Sequence, residues 1–159
     1  PLFKAKIPND VFEDNTHYKF FLKVDGGTPS FSYEPKTEVE LLRDTVENLA
    51  RLYAYSAAID SNKVHGMEIV FNGDLRDKLK ARLDNEEALG KSDVTLYFNG
   101  EAFPGKIADF RKMLLAINVR ADRNFDVFQG HLAAINKLST VEDLKAYDYK
   151  TGYEPALQF

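Results

Sequence analysis

The chain has 159 residues, 44% of them hydrophobic and 29% charged, with no cysteine, no tryptophan and a formal net charge of −4. This is the composition of an ordinary globular protein. It excludes a disulfide scaffold, thiolate metal centres, iron–sulfur clusters and a cysteine nucleophile.

A chain of this size buries roughly 69% of the surface it exposes when unfolded, enough for one hydrophobic core. The expectation is therefore a single α+β domain over residues 1–148, followed by an aromatic tail over 149–159. No apolar run approaches the roughly 18 residues needed to span a bilayer, and residues 1–7 lack the apolar core of a signal peptide. A cytoplasmic protein without membrane contact is expected. With 21 basic against 25 acidic groups, a surface that holds many phosphates is disfavoured, so no direct nucleic-acid partner is expected. One segment, 91–125, is mildly positive and contains Lys106, Arg111, Lys112, Arg120 and Arg123. On the outer side of a helix these cations would be solvated or would meet an acidic partner.

In chain order, residues 2–7 alternate apolar and polar and stop at Pro8-Asn9-Asp10, the pattern of a short strand. Residues 18–24 alternate again, with Phe20, Leu22 and Val24 on one face and Lys19, Phe21 and Lys23 on the other. Asp25-Gly26-Gly27 then turns the chain, so that Phe31 and Tyr33 return on the second arm of a hairpin. Thr37-Glu-Val-Glu40 is a capping box. It opens a helix whose stripe Val39, Leu42, Val46, Leu49 and Tyr53 runs to about residue 59, where Asp60-Ser-Asn62 ends it.

Residues 64–71 predict a strand with His65, Met67, Ile69 and Phe71 on one face, followed by a helix marked by Leu75, Leu79 and Leu83. Residues 94–98 predict another strand. Ile107, Phe110, Leu114 and Ile117 make a third helix, Phe125, Phe128, Leu132 and Ile135 a fourth, and Ser139-Thr-Val-Glu142 caps a short fifth. The order predicts a mixed sheet of about four to five strands, namely the N-terminal hairpin plus two strands each followed by a helix, with a C-terminal helical layer.

Phe71-Asn72-Gly73-Asp74 and Phe98-Asn99-Gly100-Glu101 repeat a strand-ending motif. As two parallel strand–turn–helix units they would bring Asp74 and Glu101 together beyond the carboxyl ends of the strands, where a carboxylate pair divides acid and base roles or holds Mg²⁺. As Asn-Gly turns they need no ligand, and residues 101–103 are then a short return strand. His17, His65 and His131 show no zinc spacing, and no nucleophile elbow, P-loop or dinucleotide fingerprint is present; neither a metal nor a cofactor is expected. On its predicted strand His65 is a candidate half-buried base.

Pro1-Leu-Phe-Lys-Ala-Lys-Ile7 resembles the first strand of the tautomerase superfamily, in which the N-terminal proline is catalytic. The resemblance implies that Pro1 is a general base. It covers seven residues, and residues 18–24 read as a strand where that family places a long helix.

The tail carries Tyr149, Tyr153, Leu157 and Phe159 around Gly152 and Pro155, which prevent a helix, and it is more apolar than a disordered terminus. With Arg120 and Arg123 these are the candidate binding residues. The leading expectation is a non-enzymatic protein-interaction or assembly protein that binds another protein or itself, of the kind found among phage host-takeover or virion components. The alternatives are a small enzyme using Asp74 and Glu101, or Pro1, and an acidic inhibitor of a nucleic-acid-binding protein.

Overall fold

The computed structural model describes residues 16–25 and 28–159 and is a mixed α+β protein. The strand expected at residues 2–7, Pro1, and the turn residues Gly26 and Gly27 lie outside the described residues. The chain divides into two compact units, residues 1–48 with 135–147, and residues 49–134 with 148–159.

In the first unit, β1 (Tyr18–Asp25) pairs antiparallel with β2 (Thr28–Pro35). The register gathers apolar side chains on one face and leaves Phe21 as the one large apolar residue of the other. Tyr18, Phe20, Leu22 and Val24 stand opposite Pro35, Tyr33, Phe31 and Pro29 on one face, while Lys19 stands opposite Glu34 on the other. Lys19 Nζ bridges Glu34 at 2.8 Å and Glu40 at 2.7 Å, which ties the polar face to the first turn of helix α1 (Glu38–Ala54).

The expected capping box is formed. Thr37 N–H donates to Glu40 Oε2 at 2.8 Å, and Glu40 N–H donates to Thr37 Oγ1 at 3.3 Å. The Lys19 ammonium and the Thr37 donors together lower the Glu40 carboxyl to about 2. The short helix α5 (Val141–Ala146) is capped one residue later than expected, by Thr140 Oγ1, which accepts from Asp143 N–H at 3.1 Å. Arg43 Nη2 donates to Leu138 O at 2.7 Å, and Val46, Ile135 and Leu144 are buried.

Helix α1 ends at Ala54 rather than near 59, because Ser56 is extended (φ −86°, ψ 164°) and cannot continue it. Leu49, expected on the core stripe, is exposed; Val46 and Ala50 are the residues buried there.

The second unit takes in the end of α1 from Leu49, then α2 (Ala57–Asp60) and the hairpin of β3 (Ser61–Val64) and β4 (Met67–Val70). α3 (Gly73–Ala88) follows, then the hairpin of β5 (Asp93–Phe98) and β6 (Glu101–Lys106), then α4 (Ile107–Ile135). Each hairpin in this unit turns on two residues of positive φ, His65 (49°) with Gly66 (83°), and Asn99 (50°) with Gly100 (86°), the geometry of a type I′ turn. The strand expected over 64–71 is therefore mostly the returning arm of a hairpin.

The strands form three separate two-stranded antiparallel sheets among the described residues instead of one mixed sheet. The two expected helices over 107–135 are one 29-residue helix, since no proline interrupts residues 107–135 and the only glycine is Gly130, which helix α4 carries in its last turns. The core of this unit is aromatic at its centre, with Phe98 edge-on to Phe71 at 5.7 Å and packed on Phe103 at 5.3 Å. Ile69, Leu83, Ile107 and Ile117 are buried in the same cluster. Full burial of each such side chain contributes about 1.5–3 kcal/mol.

Candidate functional site

The two Phe-Asn-Gly segments take different structures. Asn72 is the N-cap of α3, its Oδ1 accepting from Leu75 N–H at 2.9 Å, whereas Asn99-Gly100 turns the β5–β6 hairpin. Because β4 and β5 both sit in antiparallel hairpins, no parallel pair of strand ends joins Asp74 to Glu101. Asp74 is an exposed helical residue that pairs with Lys78 at 2.7 Å, and Glu101 is the exposed first residue of β6. His65 is exposed at its turn instead of half-buried on a strand. Pro1 lies outside the described residues. Among the described residues no three His, Asp or Glu side chains group as a metal site would require.

The C-terminal tail is docked on its own unit. Lys63 N–H donates to Leu157 O at 2.8 Å, Phe159 N–H to Lys63 O at 2.9 Å and His65 N–H to Phe159 O at 2.9 Å, so the tail adds in parallel to the edge of β3. Leu157 packs against the hydrophobic core, and Tyr153 contacts Tyr53 at 5.6 Å and His131 at 5.6 Å. Tyr149 is edge-on to Tyr53 at 6.3 Å; Phe159 keeps 40% of its surface exposed.

Besides the β3 edge, where Asn62 Oδ1 also accepts from Leu157 N–H at 3.0 Å, side chains on one face of α4 hold the tail. Arg120, expected among the outward cations, is 4% exposed. Its Nε donates to Pro155 O at 2.7 Å, its Nη2 to Glu154 O at 3.1 Å and its Nη1 to Asn62 Oδ1 at 3.2 Å. Asn124 Oδ1 accepts from Glu154 N–H at 2.7 Å, and His131 Nε2 lies 2.9 Å from Thr151 O. Arg123 bridges Glu154 at 3.0 Å from an exposed position. Burial disfavours the charged Arg120 and pulls its guanidinium below its usual range, against the opposing charges of Asp60 and Glu154. The seam serves the carbonyls of Thr151, Glu154 and Pro155, which accept from no backbone N–H among the described residues.

Beside the seam lies a cleft of about 320 Å³, lined by the end of α1, by α2, by the first turn of α3 and by the middle of α4. Tyr55 and Phe125, 61% and 49% exposed, pack on the buried Phe128 and form its aromatic wall. Asp60, Arg76, Asp122 and Asn124 supply its polar lining. Desolvation raises the Asp60 carboxyl above its usual value, opposed by the Arg76 and Arg120 charges. Arg76 Nη1 reaches Asn118 Oδ1 at 3.4 Å, but its Nε and the Nδ2 of Asn124 are buried N–H groups with no acceptor among the described residues. Such donors cost free energy when left unpaired and mark places where a ligand gains.

Asp60 read in the sequence as the end of a helix, and Arg76 and Asn124 carried no motif. The available signal was on α4. Arg120, Asn124 and His131 continue the spacing of Ile117, Phe128 and Ile135, which puts polar side chains on a buried stripe.

No protein-family model, no curated protein and no solved structure matches this chain. No helix among the described residues is long and apolar enough to cross a membrane.

Proposed function

We propose that this chain is a non-enzymatic interaction and assembly module that associates with a second copy of itself through the apolar face of the β1–β2 hairpin. The observation that carries the reading is the sorting of that hairpin. Every residue on one face is apolar, and toward its tip Leu22 and Val24 remain 60% and 61% exposed. An exposed apolar patch such as that of Leu22 and Val24 is characteristic of an interaction site.

The face carries no charged residue, so it favours an occupant that is equally uncharged. A second copy meets that condition through a two-fold axis, which sets the same surface against itself, in the aligned packing of two small sheets. With a rise of about 3.4 Å per residue and strands about 4.8 Å apart, the face measures roughly 27 Å by 10 Å. That is small beside the roughly 800 Å² per partner of a standard interface, so the association is expected to be weak and concentration-dependent.

The test is sedimentation velocity of the full chain over a wide concentration range, alone and with Leu22→Asp and Val24→Asp combined. The expected result is a dimer that the two substitutions abolish without changing the circular dichroism spectrum. A monomer at every concentration would reject self-association, and a dimer indifferent to both aspartates would reject the hairpin as its seat.

A further inference from the structure

The cleft in the second unit offers three kinds of chemistry side by side. Tyr55 and Phe125 give an exposed aromatic wall. Asp60 and Asp122 give two carboxylates, neither of which is engaged in an ion pair among the described residues. Arg76 gives a guanidinium in the first turn of the 16-residue helix α3, and Gly73, the first residue of that helix, also faces the cleft. The backbone N–H groups and dipole of a helix N-terminus favour an anion there. Asn124, whose Oδ1 is taken by Glu154 N–H, adds an independent sign of a ligand, being 3% exposed, lining the cleft and carrying an Nδ2 donor without an acceptor among the described residues.

We propose that this cleft binds a small zwitterion of the free α-amino acid class with an aromatic or large apolar side chain. The ligand carboxylate meets Arg76, Asn124 and the N-terminal end of α3. Its ammonium lies with Asp60 and Asp122, and its side chain lies on Tyr55 and Phe125. An anion lacking the ammonium would bring its charge beside two carboxylates, and a cation lacking the carboxylate would stand beside Arg76 with the donors still unpaired. Only a molecule carrying both charges close together satisfies both sets. The volume of about 320 Å³ lies at the lower end of the range for small-molecule sites and suits a ligand of this size.

The test is calorimetric titration of the full chain with L-phenylalanine, 3-phenylpropionate, which lacks the amine, and phenethylamine, which lacks the carboxylate. L-Phenylalanine is expected to bind saturably, and each analogue about tenfold more weakly or worse, the loss of one charge-assisted contact. Asp60→Asn should weaken L-phenylalanine but not 3-phenylpropionate, and Arg76→Met should weaken L-phenylalanine but not phenethylamine. A variant that merely misfolds would lose every ligand alike, and the three ligands on the unmodified chain decide the question without any variant. Absence of saturable binding, equal binding of the three ligands, or a preference for a nucleoside offered in parallel would overturn the proposal.

Discussion

Replacing Arg120 with methionine should release the C-terminal tail while leaving the β5–β6 hairpin in place. Methionine retains an unbranched chain on the buried face of α4 but removes the donors that hold Pro155 O, Glu154 O and Asn62 Oδ1. Hydrogen bonds to a charged donor contribute about 1.5–3 kcal/mol each and are not additive within one fork, and breaking a buried charged network costs about 3–5 kcal/mol in all. Part of that cost is returned, because Arg120 is itself desolvated in the folded chain, so a net loss of about 3 kcal/mol in tail docking is expected.

Hydrogen exchange reads this directly. The amides of Lys63, His65 and Phe159 bond across the tail–β3 edge. Their protection should fall about a hundredfold, at about 1.4 kcal/mol per factor of ten, whereas the amides paired between β5 and β6 should exchange as before. Arg120→Lys should fall between the two, since an ammonium keeps the charge but cannot span the same carbonyls as a planar fork. Unchanged protection at Lys63 and Phe159 in Arg120→Met would refute the assignment of the seam as what holds the tail.

Thr37→Ala should cost about 1 kcal/mol of stability through loss of the α1 cap, measured by urea denaturation. The Glu40 carboxyl is lowered in the folded chain, so its contribution is present above the ordinary glutamate range and is lost as the pH falls toward about 2; a Glu40→Gln chain should show a correspondingly shallower acid transition. Gly100→Ala should destabilise the second unit by about 1 kcal/mol, read as a lower Tm. Gly100 sits at φ 86° with open space where a Cβ would lie, so the cost is conformational and not steric; no change in Tm would remove the type I′ assignment.

Much of the local structure was legible because the signals that specify it span three or four residues. Thr37 and Glu40 cap α1 as their spacing predicts, Leu79 and Leu83 face inward from α3, and the alternation over 18–24 is the observed β1. The candidate sites fared differently. Asn72-Gly73 and Asn99-Gly100 are the same dipeptide after the same phenylalanine, yet one caps a helix and the other turns a hairpin. Both outcomes suit Asn-Gly, and the residues C-terminal to each dipeptide decide between them. Residues 101–106 pair back onto β5, while Leu79 and Leu83 draw residues 73–88 into the core as a helix.

What the sequence by itself determined is the class of the protein and where most of its elements lie, since caps, turns and apolar periods are properties of neighbouring residues. Tertiary structure alone decided what the polar residues on α4 are for. Arg120 and Asn124 interrupt the apolar stripe and split one helix into two on hydropathy; their burial makes sense only once Glu154 and Pro155, about 30 residues or more away, bring backbone carbonyls and an amide to meet them. The cleft has the same origin. Tyr55, Asp60, Arg76 and Asn124 belong to four elements and segments, and their common chemistry exists only where folding brings those segments together.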